Sequence, residues 1–292
     1  MKEKFDSFTP FLQAILLFVV GAVAFILISI ITTLVITIIY PEMPVDDLNL
    51  QLKAFPIQYM FVNFMPFQLG FLLTPGLVYT YLRKDADNIL AKPKAVTVLW
   101  SFLLFISVFF LLPFISEINL DITKFLGAYE ALVAAKEIAD KQLAGLVGES
   151  GSASFYSSLL IIGVITGIAE EFAFRKFLFH HMLVNTKKLS LSLISSAVIF
   201  ALLHFNYIQI LPLFSFGLVL AMMYFVSGSI IPGIIMHALN NILNVYWLAN
   251  DNFPSWMNEL DLKTTIPATL LLLGLIVFHL RRQNSSQMKR EK

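Results

Sequence analysis

The chain has no cysteine. That absence removes disulfides, thiolate nucleophiles and thiolate-bound metal centres from its chemistry. Charge is also scarce. Only 13% of the 292 residues are Asp, Glu, Lys or Arg, about half the share of an ordinary soluble domain. The formal net charge is +1, so the sequence lacks the basic excess that a nucleic-acid partner would demand. What fills the space is apolar: 58% of the residues are hydrophobic and 28 are Phe. A soluble domain carries about 45–50% apolar residues, and a core of this size could not hide the surplus from water. The composition predicts an integral membrane protein.

A membrane helix needs about 20 mostly apolar residues. Eight segments meet that need: Phe11–Tyr40, Ile57–Leu82, Val96–Ile118, Ser154–Met182, Leu189–Phe205, Ile208–Val226, Ser229–Ala249 and Thr265–Leu280. The first follows Lys2 and Lys4 and is far longer than the roughly 7–15-residue core of a cleavable signal, so it reads as a retained helix. Basic residues then alternate sides. One side collects Lys2, Lys4, Arg83, Lys84, Lys92, Lys94, Arg175, Lys176, Lys187, Lys188, Arg281 and Arg282. The other holds few, and is acidic. The bias of basic residues toward cytoplasmic loops puts both termini in the cytoplasm. The expected fold is an all-α, multi-pass transmembrane helix bundle of about eight spans, in a cell membrane. Residues 1–150 would supply three membrane helices and an outer amphipathic segment. Residues 151–250 would supply a core of membrane helices, and 251–292 a last span with a basic tail suited to anionic lipid.

Within this apolar background, Glu170 and Glu171 lie side by side at the middle of a membrane-length segment, with Arg175 one turn on. A charge at the centre of a spanning helix costs about 2.5–3.5 kcal/mol on insertion scales, so such residues face a bundle interior or a watery cavity and mark function. Glu171 and Arg175 are four apart and share a helix face. The other polar residues at membrane depth are His204, His237, Asn240, Asn241 and Asn244. At a rise of about 1.5 Å per residue, Glu170, His204, His237 and Asn241 all fall roughly 12–20 Å inside the same face. Segments that run in opposite directions thus bring their polar groups to nearly one level, as a single buried site requires. Gly163 and Gly167 form a GxxxG that would let this helix approach a neighbour closely.

These residues resemble a known family. Glu170-Glu171-Phe172-Ala173-Phe174-Arg175 matches EExxxR, Phe200 to His204 matches FxxxH, and His237 to Asn241 matches HxxxN. In that order, on separate spans, they are similar to the three motifs of the CPBP family, which includes type II CAAX prenyl endopeptidases and bacteriocin-processing or self-immunity proteins. The resemblance covers about residues 154–249.

Peptide hydrolysis needs an activated water and a stabiliser for the tetrahedral oxyanion. Two adjacent carboxylates in an apolar medium are costly, and Arg175 can balance Glu171. Glu170, with His204, is then left to orient and deprotonate a water as general base. His237 and Asn241 can donate to the oxyanion. The resemblance implies the same allocation, and with it an intramembrane endopeptidase acting on membrane-associated peptide or protein substrates, prenylated or leader-bearing. Zinc is left open. Glu170, His204 and His237 could form a site that holds a water, but the contiguous HExxH of zincins is missing. Two other classes stay open as well: a non-catalytic self-immunity or scaffold protein, and a proton-coupled transporter using the Glu pair as a relay.

Overall fold

The computed structural model describes residues 2–44, 46–83, 93, 95–252, 263, 265–267, 269, 270, 273 and 274. Among these the chain is all-helical, with no strand. In chain order the main helices are α1 (Pro10–Ile39), α2 (Pro56–Leu82), α3 (Ala95–Phe109), α4 (Leu112–Phe125), α5 (Tyr129–Val147), α6 (Ala153–Thr186), α7 (Leu189–Leu202), α8 (Ile210–Ser227) and α9 (Ile231–Ala249).

Their ends follow local chemistry. Thr9 caps α1, its hydroxyl accepting from the Leu12 amide, and Pro10 fills the first position, where no amide is needed. Ser152 caps α6 in the same way through the Phe155 amide. Lys187, at φ 56°, ends α6 in the left-handed region, and Gly228 at φ 64° ends α8. Helices α2 and α6 both contain wide π turns, at Met60–Phe64 and Phe67–Leu73, and at Leu159–Ile165 and Phe172–Phe179. In both, a threonine hydroxyl reaches back five residues: Thr74 to the Leu69 carbonyl at 2.7 Å and Thr166 to Ile161 at 3.0 Å. Such turns recur at functional sites, and in α6 they flank the glutamate pair.

By length and composition, α1, α2, α6 and residues Tyr207–Ser227 can each cross a membrane, and α3 with α4 make a fifth candidate if counted as one span. The expected third span is therefore not one straight helix. It bends by 42° between Phe109 and Leu112, where Pro113 in the first turn of α4 cannot donate an amide backward. The expected fifth span, Leu189–Phe205, is also shorter than predicted: α7 closes at Leu202. The His204 and Phe205 amides tighten onto Ala201 and Leu202, and Phe205 turns left-handed at φ 52°. Helix α9, the expected span Ser229–Ala249, carries His237, Asn240, Asn241 and Asn244, whose polarity lowers its hydropathy, and it is not among the candidate spans. The expected span Thr265–Leu280 lies largely outside the described residues.

The chain forms two compact units that interleave along the sequence. The first draws on Met1–Ile89, Ala134–Ser192 and Ile234–Phe253; the second draws on Leu90–Val133, Leu193–Gly233 and Pro254–Lys292.

In the first unit, α1 and α2 run antiparallel at close range. A Cβ on Gly70 would fall 2.5 Å from the Phe25 backbone, and one on Gly21 would fall 2.7 Å from Pro75. Helices α2 and α6 run parallel. Met60 packs with Ile161 near their starts, Gly76 meets the Phe172 backbone, and near their ends Tyr79 Oη and His180 Nδ1 are hydrogen-bonded at 2.9 Å. Antiparallel to α6 runs α9, with Gly167 against Ala238, Gly163 against Ile242, and Phe155 packed with Val245. Beyond the pair, His181 donates from Nε2 to the Pro10 carbonyl at 3.0 Å, which ties the last turns of α6 to the start of α1.

In the second unit, Asn119 of α4 is buried. It donates to the Ile208 carbonyl at 2.7 Å and accepts from the Leu211 amide at 3.0 Å, closing the start of α8. Helix α7 meets α8 where Gly217 lies against Ala197 and the Phe200 ring.

Candidate active site

The site is built on the middle of α6. Glu170 and Glu171 end its α-helical stretch Thr166–Glu171. Two contacts without side chains on one partner hold this stretch in place. On one face, a Cβ on Gly76 of α2 would come 2.6 Å from the Phe172 carbonyl oxygen. On the other, a Cβ on Gly167 would come 3.0 Å from the Ala238 amide nitrogen of α9. The GxxxG is thus a helix–helix contact, and it brings His237, beside Ala238, onto the glutamates.

Burial sorts the pair. Glu171 and Arg175 are 0% exposed, and Glu170 is 8% exposed. The Arg175 Nη1 lies 3.0 Å from Glu171 Oε1, as the four-residue spacing predicts. His237, 2% exposed, joins them from α9. Its Nδ1 lies 3.0 Å from that same Glu171 oxygen and its Nε2 3.5 Å from Glu170 Oε2. The imidazole therefore bridges the two carboxylates. A fully buried charge needs a paired and hydrogen-bonded partner, and Glu171 has an ion pair with Arg175 and a hydrogen bond with His237. In this geometry it lies between Arg175 and His237. Glu170 is the member with residual access.

Asn241, one turn beyond His237, is half-buried and donates to the Ile162 carbonyl at 3.4 Å. Asn240 donates to Asn241 Oδ1 at 3.5 Å, and Asn244 to the Asn240 carbonyl at 2.9 Å. Both of these bonds stay within α9. His204 belongs to the second unit. It is exposed, in the turn after α7, with its ring 4.4 Å from that of Phe200. Its Nδ1–H donates to the Phe200 carbonyl at 2.7 Å. In the neutral ring this leaves Nε2 as the acceptor nitrogen.

Among the described residues, no group of three or more His, Cys, Asp and Glu is arranged to hold a metal ion. Both nitrogens of His237 are turned toward carboxylates, and Glu171 Oε1 is shared between a guanidinium and an imidazole. This donor set, as arranged, does not fit zinc, and no step below is routed through a metal.

Two residues on the page were not singled out in the sequence. Lys176, grouped above with cytoplasmic charges beside Arg175, is buried, as Arg175 is; a loop-charge count cannot see that a helix runs on through them. Gln68 is a buried amide within α2. Its signal was present: a carboxamide inside an apolar span, of the kind membrane helices keep for a reason.

Residues 152–243 match the family model of the Rce1-like, type II CAAX prenyl endopeptidases. The matched stretch carries all three motifs, and the match supports the resemblance to CPBP intramembrane proteases. No curated protein and no solved structure matches the chain.

Proposed function

We propose that this integral membrane protein is an endopeptidase that hydrolyses peptide bonds of membrane-associated substrates with a water activated by Glu170. The observation that carries the reading is the buried cluster Glu170–His237–Glu171–Arg175, in which one carboxylate is neutralised and locked while its neighbour keeps access.

The steps balance as a hydrolysis. Glu170 takes a proton from water, and the hydroxide oxygen attacks the scissile carbonyl carbon. The carbonyl oxygen becomes the tetrahedral oxyanion. Asn241 donates toward it, joined by His237 as its Nε2–H turns from Glu170 to the oxyanion. The proton held at Glu170 passes to the amide nitrogen as the carbon–nitrogen bond breaks, leaving an acid and an amine. His204 is assigned a share in orienting the water by its FxxxH motif and by the acceptor nitrogen its Phe200 bond leaves. Sequestration within the membrane strengthens each of these charge contacts.

The helix directions agree with an eight-span, both-termini-cytoplasmic topology. Antiparallel α1 and α2, parallel α2 and α6, and antiparallel α6 and α9 are the relations that first, second, fourth and seventh spans would have. Prenylated or leader-bearing peptides are the substrates this reading favours, in a multi-pass protein of the cell membrane.

The test is cleavage of a fluorogenic prenylated C-terminal peptide and a hydrophobic peptide library by detergent-purified protein, with and without a zinc chelator. Cleavage that is lost in Glu170→Gln and survives the chelator is expected. Loss with the chelator, restored by zinc, would overturn the metal-free chemistry. Full cleavage by Glu170→Gln would overturn the assignment of the base. Binding of peptide without cleavage would favour an immunity or scaffold role.

A further inference from the structure

Gln68 sits in the π-helical stretch Phe67–Leu73 of α2, which packs against the Thr166–Glu171 stretch of α6. It is 6% exposed. Its Oε1 is buried with no hydrogen-bond partner among the described residues. Leaving a buried amide acceptor unmade costs about 1–3 kcal/mol, and an apolar side chain of the same size would avoid that cost. A membrane helix that retains the amide has a use for it outside its own packing.

Its face is set by the neighbours. Phe67, Phe71 and Pro75 turn toward α1, through Phe18 and Gly21. The wide turns place Gln68, Leu72 and Gly76 together on a different face, and all three are buried. Gly76 lies against the Phe172 backbone. Because α2 and α6 run parallel, depth can be read along either. Gln68 precedes Gly76 by about 12 Å of helix and Glu170 precedes Phe172 by about 3 Å, a separation of about 9 Å; the Met60–Ile161 and Tyr79–His180 pairs put the two within about 2 Å of one level. The amide therefore stands between the level of the glutamates and roughly 9 Å toward the start of α6. An extended peptide rises about 3.3 Å per residue, so that distance is at most about three residues of substrate.

We infer that Gln68 is a substrate-positioning residue, whose carboxamide pairs with the backbone of an extended peptide within about three residues of the scissile bond. A carboxamide both donates and accepts, which suits a peptide group and is indifferent to side chains. The inference rests on the protease reading above. It adds a backbone clamp on α2, outside the three motifs and outside residues 152–243.

Gln68→Met removes both amide groups at nearly constant volume. Three quantities are compared with wild type: the melting temperature in detergent, kcat and KM for the fluorogenic peptide, and the affinity of that peptide for the Glu170→Gln protein with and without Gln68→Met, by fluorescence anisotropy. The expected result is an unchanged or raised melting temperature, an unchanged kcat, and a KM and dissociation constant about tenfold higher, the worth of one hydrogen bond. Replacing single peptide amides by esters then finds one position, within about three residues of the cut, where the ester weakens binding to Glu170→Gln but not to the double variant. A fall in melting temperature with unchanged KM would overturn the inference and make Gln68 structural, while cleavage by wild type leaves the protease reading standing. If wild type neither cleaves nor binds peptide, the protease reading falls and the positioning role falls with it.

Discussion

The imidazole of His237 lies 3.0 Å from Glu171, 66 residues earlier in the chain, and the oxygen it meets is the one that Arg175 holds. Three groups that would each be costly alone in an apolar interior are thereby paired with one another. The geometry depends on two helices approaching almost backbone to backbone, and on a guanidinium arriving from the next turn.

Arg175→Met should therefore be among the most damaging single changes. It leaves Glu171 buried and without its cation, a loss of about 3–5 kcal/mol. Poor yield and a collapsed melting transition in detergent are expected. The double variant Arg175→Met with Glu171→Gln removes both charges and should recover most of the folded yield without recovering hydrolysis. Equal yields of the single and double variants would show that the ion pair does not govern folding.

The close approaches can be ranked. A Cβ on Gly76 meets the Phe172 backbone at 2.6 Å, whereas a Cβ on Gly163 meets Cγ1 of the Ile242 side chain at 2.7 Å. A side chain can give more readily than a helix backbone, although a β-branched one is stiff at χ1. Gly76→Ala should lower the melting temperature and cut activity strongly, by displacing the stretch that holds the glutamates. Gly163→Ala should cost less, about 1–3 kcal/mol. Thermal melts of the two alanine variants, side by side, check the order.

Much of this site was legible in the sequence. The i,i+4 spacing of Glu171 and Arg175 predicts their pairing, and His237 with Asn241 falls on one stripe of α9 by the same periodicity. Composition alone is enough to identify the membrane. The bridging of both glutamates by His237 was not legible, because it depends on the side-chain placement of two helices that share no sequence proximity. The spacing suggests His237 as an oxyanion donor or as one ligand of a zinc site, and neither reading contains the bridge. The length of the expected span Leu189–Phe205 was misjudged because an apolar run does not mark where a helix stops; the left-handed Phe205 does. Gln68 was passed over since a lone amide in an apolar run carries no spacing partner to draw attention to it.

Glu170 and Glu171 should respond differently to the same substitution. Glu170→Gln keeps shape and removes the base, so activity should fall about 10²–10⁴-fold with the melting temperature little changed. Glu171→Gln leaves Arg175 and His237 without their shared carboxylate, so stability and activity should fall together. Measuring melting temperature and kcat on both variants separates the reacting member from the orienting one. Identical behaviour of the two would mean that burial does not divide their roles.

His204 offers the cleanest separation of chemistry from folding. It is exposed, stands past the end of α7, and its Nδ1–H is taken by the carbonyl of Phe200 in its own helix. Replacing it by Asn should therefore leave the folding stability within about 0.5 kcal/mol of wild type, in the range of ordinary surface substitutions. If its acceptor nitrogen orients the attacking water, the same variant should lose hydrolysis about 10²-fold or more, with KM for the peptide unchanged. A fall in kcat at constant KM and constant stability has no structural explanation at an exposed turn, whereas retained kcat would leave Glu170 as the sole base. The FxxxH motif would then serve to terminate α7, through the Phe200 carbonyl, and not to activate water.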